Sequence, residues 1–111
     1  MAGETIVFFA RNTALVTGTY YSDPYDVTSY KSVDVQTMNQ AIINSATVSV
    51  QMQQSSDLIQ WDAVGSAMAP AVGNSDPESL SGTARYVRAV ATIGTANATA
   101  VIWVKGVARE S

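Results

Sequence analysis

The 111-residue sequence contains no cysteine and no histidine. Without cysteine the chain can form neither a disulfide framework nor a thiolate metal site. Without either residue the commonest acid/base and nucleophile pairs of enzymes are missing as well. We therefore predict that the protein is not an enzyme and that it carries no cofactor and no metal.

Charge is also scarce, since charged residues make up only 14% of the sequence and the net charge is −3. The six cations are spread along the chain and form no basic patch in the sequence, so no nucleic-acid partner is expected. A small protein exposes a large part of its surface to water. The low charged fraction therefore suggests that another molecule covers part of that surface.

Long apolar runs and targeting signals are missing too. The first twelve residues, MAGETIVFFARN, have no positively charged region ahead of their short apolar run, and no apolar run is long enough to span a bilayer. We expect a protein that is made in the cytoplasm without a signal peptide and that has no membrane partner.

What the sequence does contain is β-strand patterning, most clearly in residues 46–64. Here apolar and polar side chains alternate, as in a half-buried strand, and the apolar set is Val48, Val50 and Met52. Ser55–Asp57 supplies turn chemistry. A second strand, Ile59–Val64, carries Trp61, so we predict a hairpin in which Trp61 is buried with the apolar set.

Further strands are predicted from similar patterns at Thr5–Ala10, Ala14–Thr19, Ser32–Met38, Ala84–Ile93 and Ala98–Ala108. Residues 20–30 and 65–82 are rich in turn residues and are predicted to be irregular, with Asn39–Ser45 a connection. No segment has a helical period with caps. About eight strands predict one all-β domain over residues 1–111, an antiparallel β-sandwich that is jelly-roll-like.

The string VSVQMQQSSDLIQWDAV, followed later by ARYVRAV, resembles the discoidin-like, galactose-binding-like jelly rolls over residues 46–91. In those domains a strand enters a Ser-x-Asp turn (here Ser55, Ser56 and Asp57), and a tryptophan strand (Trp61) and an Ala-Arg-Tyr-Val-Arg strand (Ala84–Arg88) follow. This resemblance implies an architecture. The chain is shorter than a typical discoidin domain, and it lacks that family's flanking cysteines and a His-Arg sugar site.

The same pattern also resembles small β-sandwich proteins of tailed-phage virions, including head-decoration (cement) proteins and appended tail modules. These proteins are short, acidic, free of cysteine and not exported, which fits the length and composition of this chain better. The resemblance implies a structural protein of the virion.

Four carboxylates, Asp23, Asp26, Asp76 and Glu78, lie in the predicted loops. A pair of acids could serve a glycosidase, and loop acids of a jelly roll could bind calcium. A calcium site needs six to eight oxygens, however, and Asp residues routinely initiate turns. We therefore predict that these acids cap turns.

Four tyrosines, at positions 20, 21, 25 and 30, crowd one predicted loop. They can close one end of the sandwich, anchor a protein interface or stack on sugars. Tyr20, Tyr21 and Tyr25 are therefore candidate interface residues, and in the alternative function they are a platform for carbohydrate.

The final strand is apolar on both sides. Ala100, Ile102 and Val104 point one way, and Val101, Trp103 and Val107 the other. A strand that is half exposed to water should be polar on one side. Either the chain itself covers both faces, or the second face meets another subunit. We predict the latter, with Val101, Trp103 and Val107 in the interface.

These observations predict a structural virion protein, most concretely a capsid decoration or cement protein. Its partners would be the major capsid protein, further copies of itself in a homo-oligomer, or both, and its location would be the virion. The alternative is a carbohydrate-binding module, and a third, weaker hypothesis is an accessory domain of a tail fibre.

Overall fold

A computed structural model describes residues 3–81 and 83–109. All of its regular elements are β-strands, and the described residues include no helix that is long and apolar enough to cross a membrane. The strands are β1 (Gly3–Val16), β2 (Gly18–Tyr21), β3 (Tyr25–Asp26), β4 (Ser32–Ile43), β5 (Thr47–Ser55), β6 (Asp62–Met68), β7 (Ser75–Ser81), β8 (Tyr86–Gly94) and β9 (Thr99–Arg109).

The strands form two antiparallel sheets. Sheet A has the order β1-β9-β4-β7, and sheet B has the order β2-β8-β5-β6, with β3 also paired to β8. Because β2 and β3 pair with successive parts of β8, they act as one interrupted edge strand. In sheet A, β1 pairs with β9, and in sheet B the edge formed by β2 and β3 pairs with β8. This connectivity is that of a jelly roll. The predicted all-β sandwich is confirmed, while its extent over residues 1–111 stays a prediction.

The core lies between the two sheets and follows the strict alternation of the long strands. Along β4 the buried positions include Val33, Val35 and Thr37, and along β5 they include Val48, Val50 and Met52, as the sequence pattern predicts. Both sheets contribute to this one cluster of aliphatic and aromatic side chains. Burial of this apolar surface is the main term that stabilises the fold.

Trp61 does not belong to this core, so the prediction that it is buried with the apolar side chains of β5 is wrong. It precedes β6 and is only half-buried. Ala63, two residues further on, pairs with Gln53, an outward residue of β5. Alternate residues of a strand share a face, so Trp61 lies on the outer side of sheet B.

Residues 65–82 were expected to be irregular, but the part of this segment that the structure describes contains the end of β6 and all of β7. The sequence Ser-Asp-Pro-Glu resembles a turn, yet in β7 it is extended and Pro77 pairs with Gln36. Proline is tolerated here because β7 is an edge strand of sheet A, where one N–H per two residues has no ladder partner.

The acids of β7 link the two sheets. Asp76 Oδ2 accepts a hydrogen bond from the Ala69 N–H at 3.1 Å, and Glu78 Oε2 accepts one from the Ser66 N–H at 3.1 Å. Gly65 has a positive φ of 74°, and a Cβ there would lie 2.7 Å from Glu78 Oε2. Asp76 and Glu78 are therefore strand residues that hold β6 to β7, which corrects their prediction as turn caps.

Other boundaries also shift. β4 continues to Ile43 instead of ending at Met38, and Asn44 and Ser45 then form a tight turn with positive φ at both residues. β1 runs through Arg11 and Asn12, which were predicted to form a turn between two strands. Part of the predicted loop at 20–30 is extended as well, in β2 and β3.

Candidate interaction face

The outer side of sheet A, called face A below, contains the apolar second side of the last strand. On β9 the inward residues Ala100, Ile102 and Val104 are fully buried. The alternate residues, which include Val101, Trp103 and Val107, are only half-buried. No described part of the chain forms a third layer over them, because the other sheet packs on the inner side. Face A is therefore open to solvent in the isolated chain.

The apolar character of face A extends across the neighbouring strands. Thr99 of β9 pairs with Val16 on one side and with Ile43 on the other, and these two side chains are 59% and 57% exposed. Val7 pairs with Lys105 and is 43% exposed, and Met38 pairs with Trp103. Aliphatic side chains thus lie on face A in both strands that flank β9, while polar residues of β4, such as Gln36 and Gln40, share the same face.

Two cations lie over the Trp103 ring. Lys105, two residues along the same strand, places Nζ 4.6 Å from the ring centroid. Arg11 places its guanidinium carbon 5.7 Å from the centroid. Both distances are within the range of cation–π attraction.

An irregularity in β1 brings Arg11 to this position. Between Phe9 and Thr13, four residue steps of β1 oppose only two of β9, so the strand bulges outward beside Trp103. Asn12 has a positive φ of 65° within the bulge, and its N–H donates to Gln40 Oε1 at 2.7 Å. The bulge therefore directs a charged side chain onto face A.

A shallow cleft lies beside the Trp103 ring, with a volume of about 200 Å³. Its walls include the side of Trp103 together with Arg11, Met38, Gln40, Asn74 and Ser75. A second groove of about 290 Å³ continues along the face and is lined by Gln36, Pro77, Lys105 and Val107, among others. The cleft offers apolar and polar contacts side by side.

Neither Arg11 nor Lys105 forms an ion pair with a described residue. The salt bridges of the described chain are Arg85–Asp26 at 3.2 Å and Arg109–Asp34 at 2.6 Å. Across residues 3–81 and 83–109, no three acidic, histidine or cysteine side chains come together as a metal site would require.

The six predicted interface residues do not form one surface. Tyr20 donates to the Val16 carbonyl at 2.9 Å, and Tyr25 donates to the Val7 carbonyl at 2.7 Å and packs edge-on against Phe8. Both tyrosines pack against the core, so they close one edge of the sandwich, one of the alternatives for this loop. Tyr21 alone is well exposed, at 59%, and it belongs to the outer side of sheet B.

The outer side of sheet B, called face B below, has a different arrangement. The guanidinium carbon of Arg88 lies 4.2 Å from the Trp61 ring centroid and 4.6 Å from that of Tyr21. Arg88 Nε also donates to Gln53 Oε1 at 2.8 Å. Gln51 donates to the Val64 carbonyl at 3.1 Å. These contacts are all made within the chain.

Two exposed aspartates have a lowered pKa. For Asp57, the backbone N–H groups of Ile59 and Gln60 and the Ser55 hydroxyl donate to the carboxylate and lower its pKa. For Asp26, the hydroxyl and N–H of Thr28 lower the pKa most, and Arg85 adds to the effect. Both carboxylates organise turns, which is the role predicted for Asp26.

Sequence reasoning predicted the outward positions of Val101, Trp103 and Val107, and their place in an interface stays a prediction; it did not include Arg11 and Lys105. The signal for Lys105 was present, because it alternates with Trp103 along β9. No local signal marks Arg11, since its position depends on the pairing of β1 with β9.

Neither the models of known protein families nor the curated protein sequences include a match to this chain. Solved structures do resemble it. The SPBc2 prophage-derived protein YomS superposes with a TM-score of 0.65 at 9% identity, over 96% of this chain and 92% of YomS. The PBSX exported protein XepA gives 0.75 at 14% identity, over 97% of this chain but only 37% of XepA.

A third similar structure is that of infectious bursal disease virus, Gx strain, with a TM-score of 0.54 at 7% identity. It covers 99% of this chain and 32% of the viral chain. At such low identities these similarities establish the shared β-sandwich fold and leave function to be argued from the faces of the molecule.

Proposed function

We propose that this protein is a structural component of a bacteriophage virion, of the capsid decoration or cement type, and that it docks on its partner through face A. The observation that carries the proposal is the half-buried Trp103 among the apolar outward side chains of β9, a strand whose other side already fills the core. Large exposed apolar faces of soluble proteins commonly mark interaction sites. The prophage-derived and viral proteins among the similar folds also support a role in the virion.

Docking would stabilise a shell by burying area at many equivalent positions. Each contact needs only a modest free energy, because symmetry repeats it over the lattice and linked contacts reinforce one another. Trp103 is suited to the centre of such a contact, since aromatic residues dominate the energetics of interface centres. The partners would be the major capsid protein, other copies of this chain, or both.

The test replaces Trp103 with a charged residue, Trp103→Glu, and measures co-sedimentation with the phage's purified capsids. We expect the variant to keep the circular dichroism spectrum of the wild type, because the side chain is on the outside. Its affinity should fall by at least about thirtyfold, the equivalent of roughly 2 kcal/mol for a central aromatic anchor.

Trp61→Glu is the matched control, because it makes the same substitution at the other tryptophan, on face B. It should leave capsid binding unchanged. The proposal fails if Trp103→Glu unfolds the isolated protein, or if the two variants bind capsids equally well.

The second candidate function, carbohydrate binding, is favoured by one observation on face B. Tyr21 and Trp61 lie within reach of the same guanidinium, and Tyr21 is 59% exposed. Of the three tyrosines considered for a sugar platform, Tyr21 is exposed, whereas Tyr20 and Tyr25 are half-buried against the core. Titration with glycans, with the Trp61 indole signal as readout, separates this candidate from the first.

Location follows from the first proposal: the protein would be made in the host cytoplasm and would become part of the virion. XepA is described as an exported protein, so location should be measured. Immunodetection in purified virions, compared with the culture medium after lysis, provides that measurement.

A further inference from the structure

We propose that the Trp103 cleft on face A accepts a carboxylate from an acidic segment of the partner protein, held by Arg11 and Lys105. This inference rests on the proposed function and deepens it, because it assigns a chemistry to the partner surface.

The first argument is the state of the two cations. Arg85 and Arg109 pair with Asp26 and Asp34, and Arg88 donates to Gln53. Arg11 and Lys105 have only the Trp103 ring as a partner within the described chain. A ring attracts a cation but does not satisfy its directed N–H donors, which number five in arginine and three in lysine. Those donors are available to a ligand.

The second argument is that Arg11 and Lys105 lie close together. The protein has a net charge of −3 and only six cations. Two of the six lie within 6 Å of one tryptophan ring on an apolar face. A partner that covers this face must pair or desolvate both charges, and burying an unpaired charge is costly. An acidic partner removes that cost.

The third argument concerns face-to-face pairing of two copies with Trp103 at its centre. In a two-fold contact whose axis passes beside Trp103, Arg11 and Lys105 of each copy would approach the same residues of the other copy. Juxtaposed like charges are unfavourable at an interface, whereas an acidic surface would pair both cations. The charges therefore favour a different, acidic surface over a second face A.

The fourth argument is the shape of the site. The cleft measures about 200 Å³, several times the roughly 30 Å³ that one water occupies in the liquid. Its lining combines polar residues, Gln40, Asn74 and Ser75, with the large apolar side chains of Met38 and Trp103. Such a cleft suits an acidic side chain that is followed by an apolar one.

The experiment uses the whole chain and two short synthetic peptides, one containing Glu-Leu-Glu and the other Gln-Leu-Gln. Binding is followed by NMR through the indole N–H signal of Trp103, with the Trp61 signal as an internal reference. We expect the acidic peptide to shift the Trp103 signal saturably, with at least fivefold tighter binding than the amide peptide. Added salt should weaken this binding.

The variants Arg11→Gln and Lys105→Gln should each reduce the affinity for the acidic peptide severalfold. Lys31→Gln is the matched control, because it removes one exposed positive charge that has no ion pair within the described chain and lies outside face A. The inference is overturned if the Trp103 signal does not shift, if the amide peptide binds equally well, or if Lys31→Gln has the same effect as the other two variants.

Capsid binding separates this inference from the proposed function. If Trp103→Glu abolishes capsid binding while Arg11→Gln and Lys105→Gln leave it unchanged, face A is the docking surface but its partner is not acidic. If Trp103→Glu leaves capsid binding intact, the proposed function fails and the carboxylate site falls with it.

Discussion

The two outer faces of the sandwich are built on equally regular strands, yet they carry different side chains. On face B, the outward residues of β5 include Ser49, Gln51 and Gln53, whereas on face A those of β9 include Val101, Trp103 and Val107. The inward residues of both strands are apolar and buried. Because the fold requires only the inward pattern, the outward residues reflect what each face meets: water on face B and, by our proposal, a partner on face A.

Each face also has one tryptophan in contact with a cation, and the two faces differ in the hydrogen bonds that these cations form. On face B, Arg88 contacts the rings of Trp61 and Tyr21 and donates to Gln53. On face A, Arg11 and Lys105 contact Trp103 and form no side-chain hydrogen bond or ion pair within the described chain. The difference is that Arg88 has a hydrogen-bond partner within the described chain, whereas the two cations beside Trp103 have none.

The largest effect should be the difference in lost unfolding free energy between substitutions on the inner and on the outer side of β9. Ile102→Ala removes fully buried methyl groups and should cost about 2–5 kcal/mol of unfolding free energy. Trp103→Ala removes more atoms but should cost less, about 1 kcal/mol in the isolated chain, because the half-buried ring lies on the outer side of the sheet and not in the core. Urea unfolding of both variants measures this. A larger loss for Trp103→Ala would mean that Trp103 is a core residue, which breaks the comparison.

A smaller effect should come from Arg88→Ala on face B. The variant loses two ring contacts and the bond to Gln53, so we expect a loss of about 1 kcal/mol in unfolding free energy. Capsid binding should not change, because Arg88 lies on face B, on the side of the sandwich opposite the proposed docking surface. Arg88→Lys keeps the charge and serves as control. If Arg88→Ala weakened capsid binding, face B would belong to the interface.

The smallest effect is local and depends on pH. The pKa of Asp57 is lowered in the folded state, so its stabilising effect is present above the ordinary carboxyl pKa and is lost as the pH falls through the folded value. Below about pH 4 the amide signals of Ile59 and Gln60 should shift as their hydrogen bonds weaken.

This turn precedes Trp61, so the acid titration should also alter signals on face B and leave Trp103 on face A unaffected. NMR spectra recorded from pH 6 to pH 2 check the expectation, and Asp57→Asn should remove the transition. An equal response at both tryptophans would point to global unfolding and contradict a local effect.

Alternation predicted the parts of this fold in which a strand has one buried side. The buried sets of β4 and β5 follow directly from the sequence, and so do the outward positions of Val101, Trp103 and Val107. The position of Trp61 was predicted wrongly, because the turn after Ser55 is longer than its sequence suggests, so that β6 begins only at Asp62 and Trp61 precedes it.

The remaining errors have a common cause, which is pairing between distant parts of the chain. β7 resembles a turn in sequence, and it is held extended by its ladder to β4 and by the bonds of Asp76 and Glu78 to β6. Arg11 reaches Trp103 only because β1 bulges while paired with β9, at the other end of the sequence. Local pattern carries no information on either contact.

The most direct test of the central claim uses the two tryptophans as a matched pair, because they are the only ones in the sequence and lie on opposite outer faces. Hydroxyl-radical footprinting with mass spectrometry would compare the oxidation of each residue in the isolated protein and in assembled particles. We predict strong protection of Trp103 on assembly and no change at Trp61. Equal oxidation of Trp103 in both states, or protection of Trp61 instead, would contradict the assignment of face A as the docking surface.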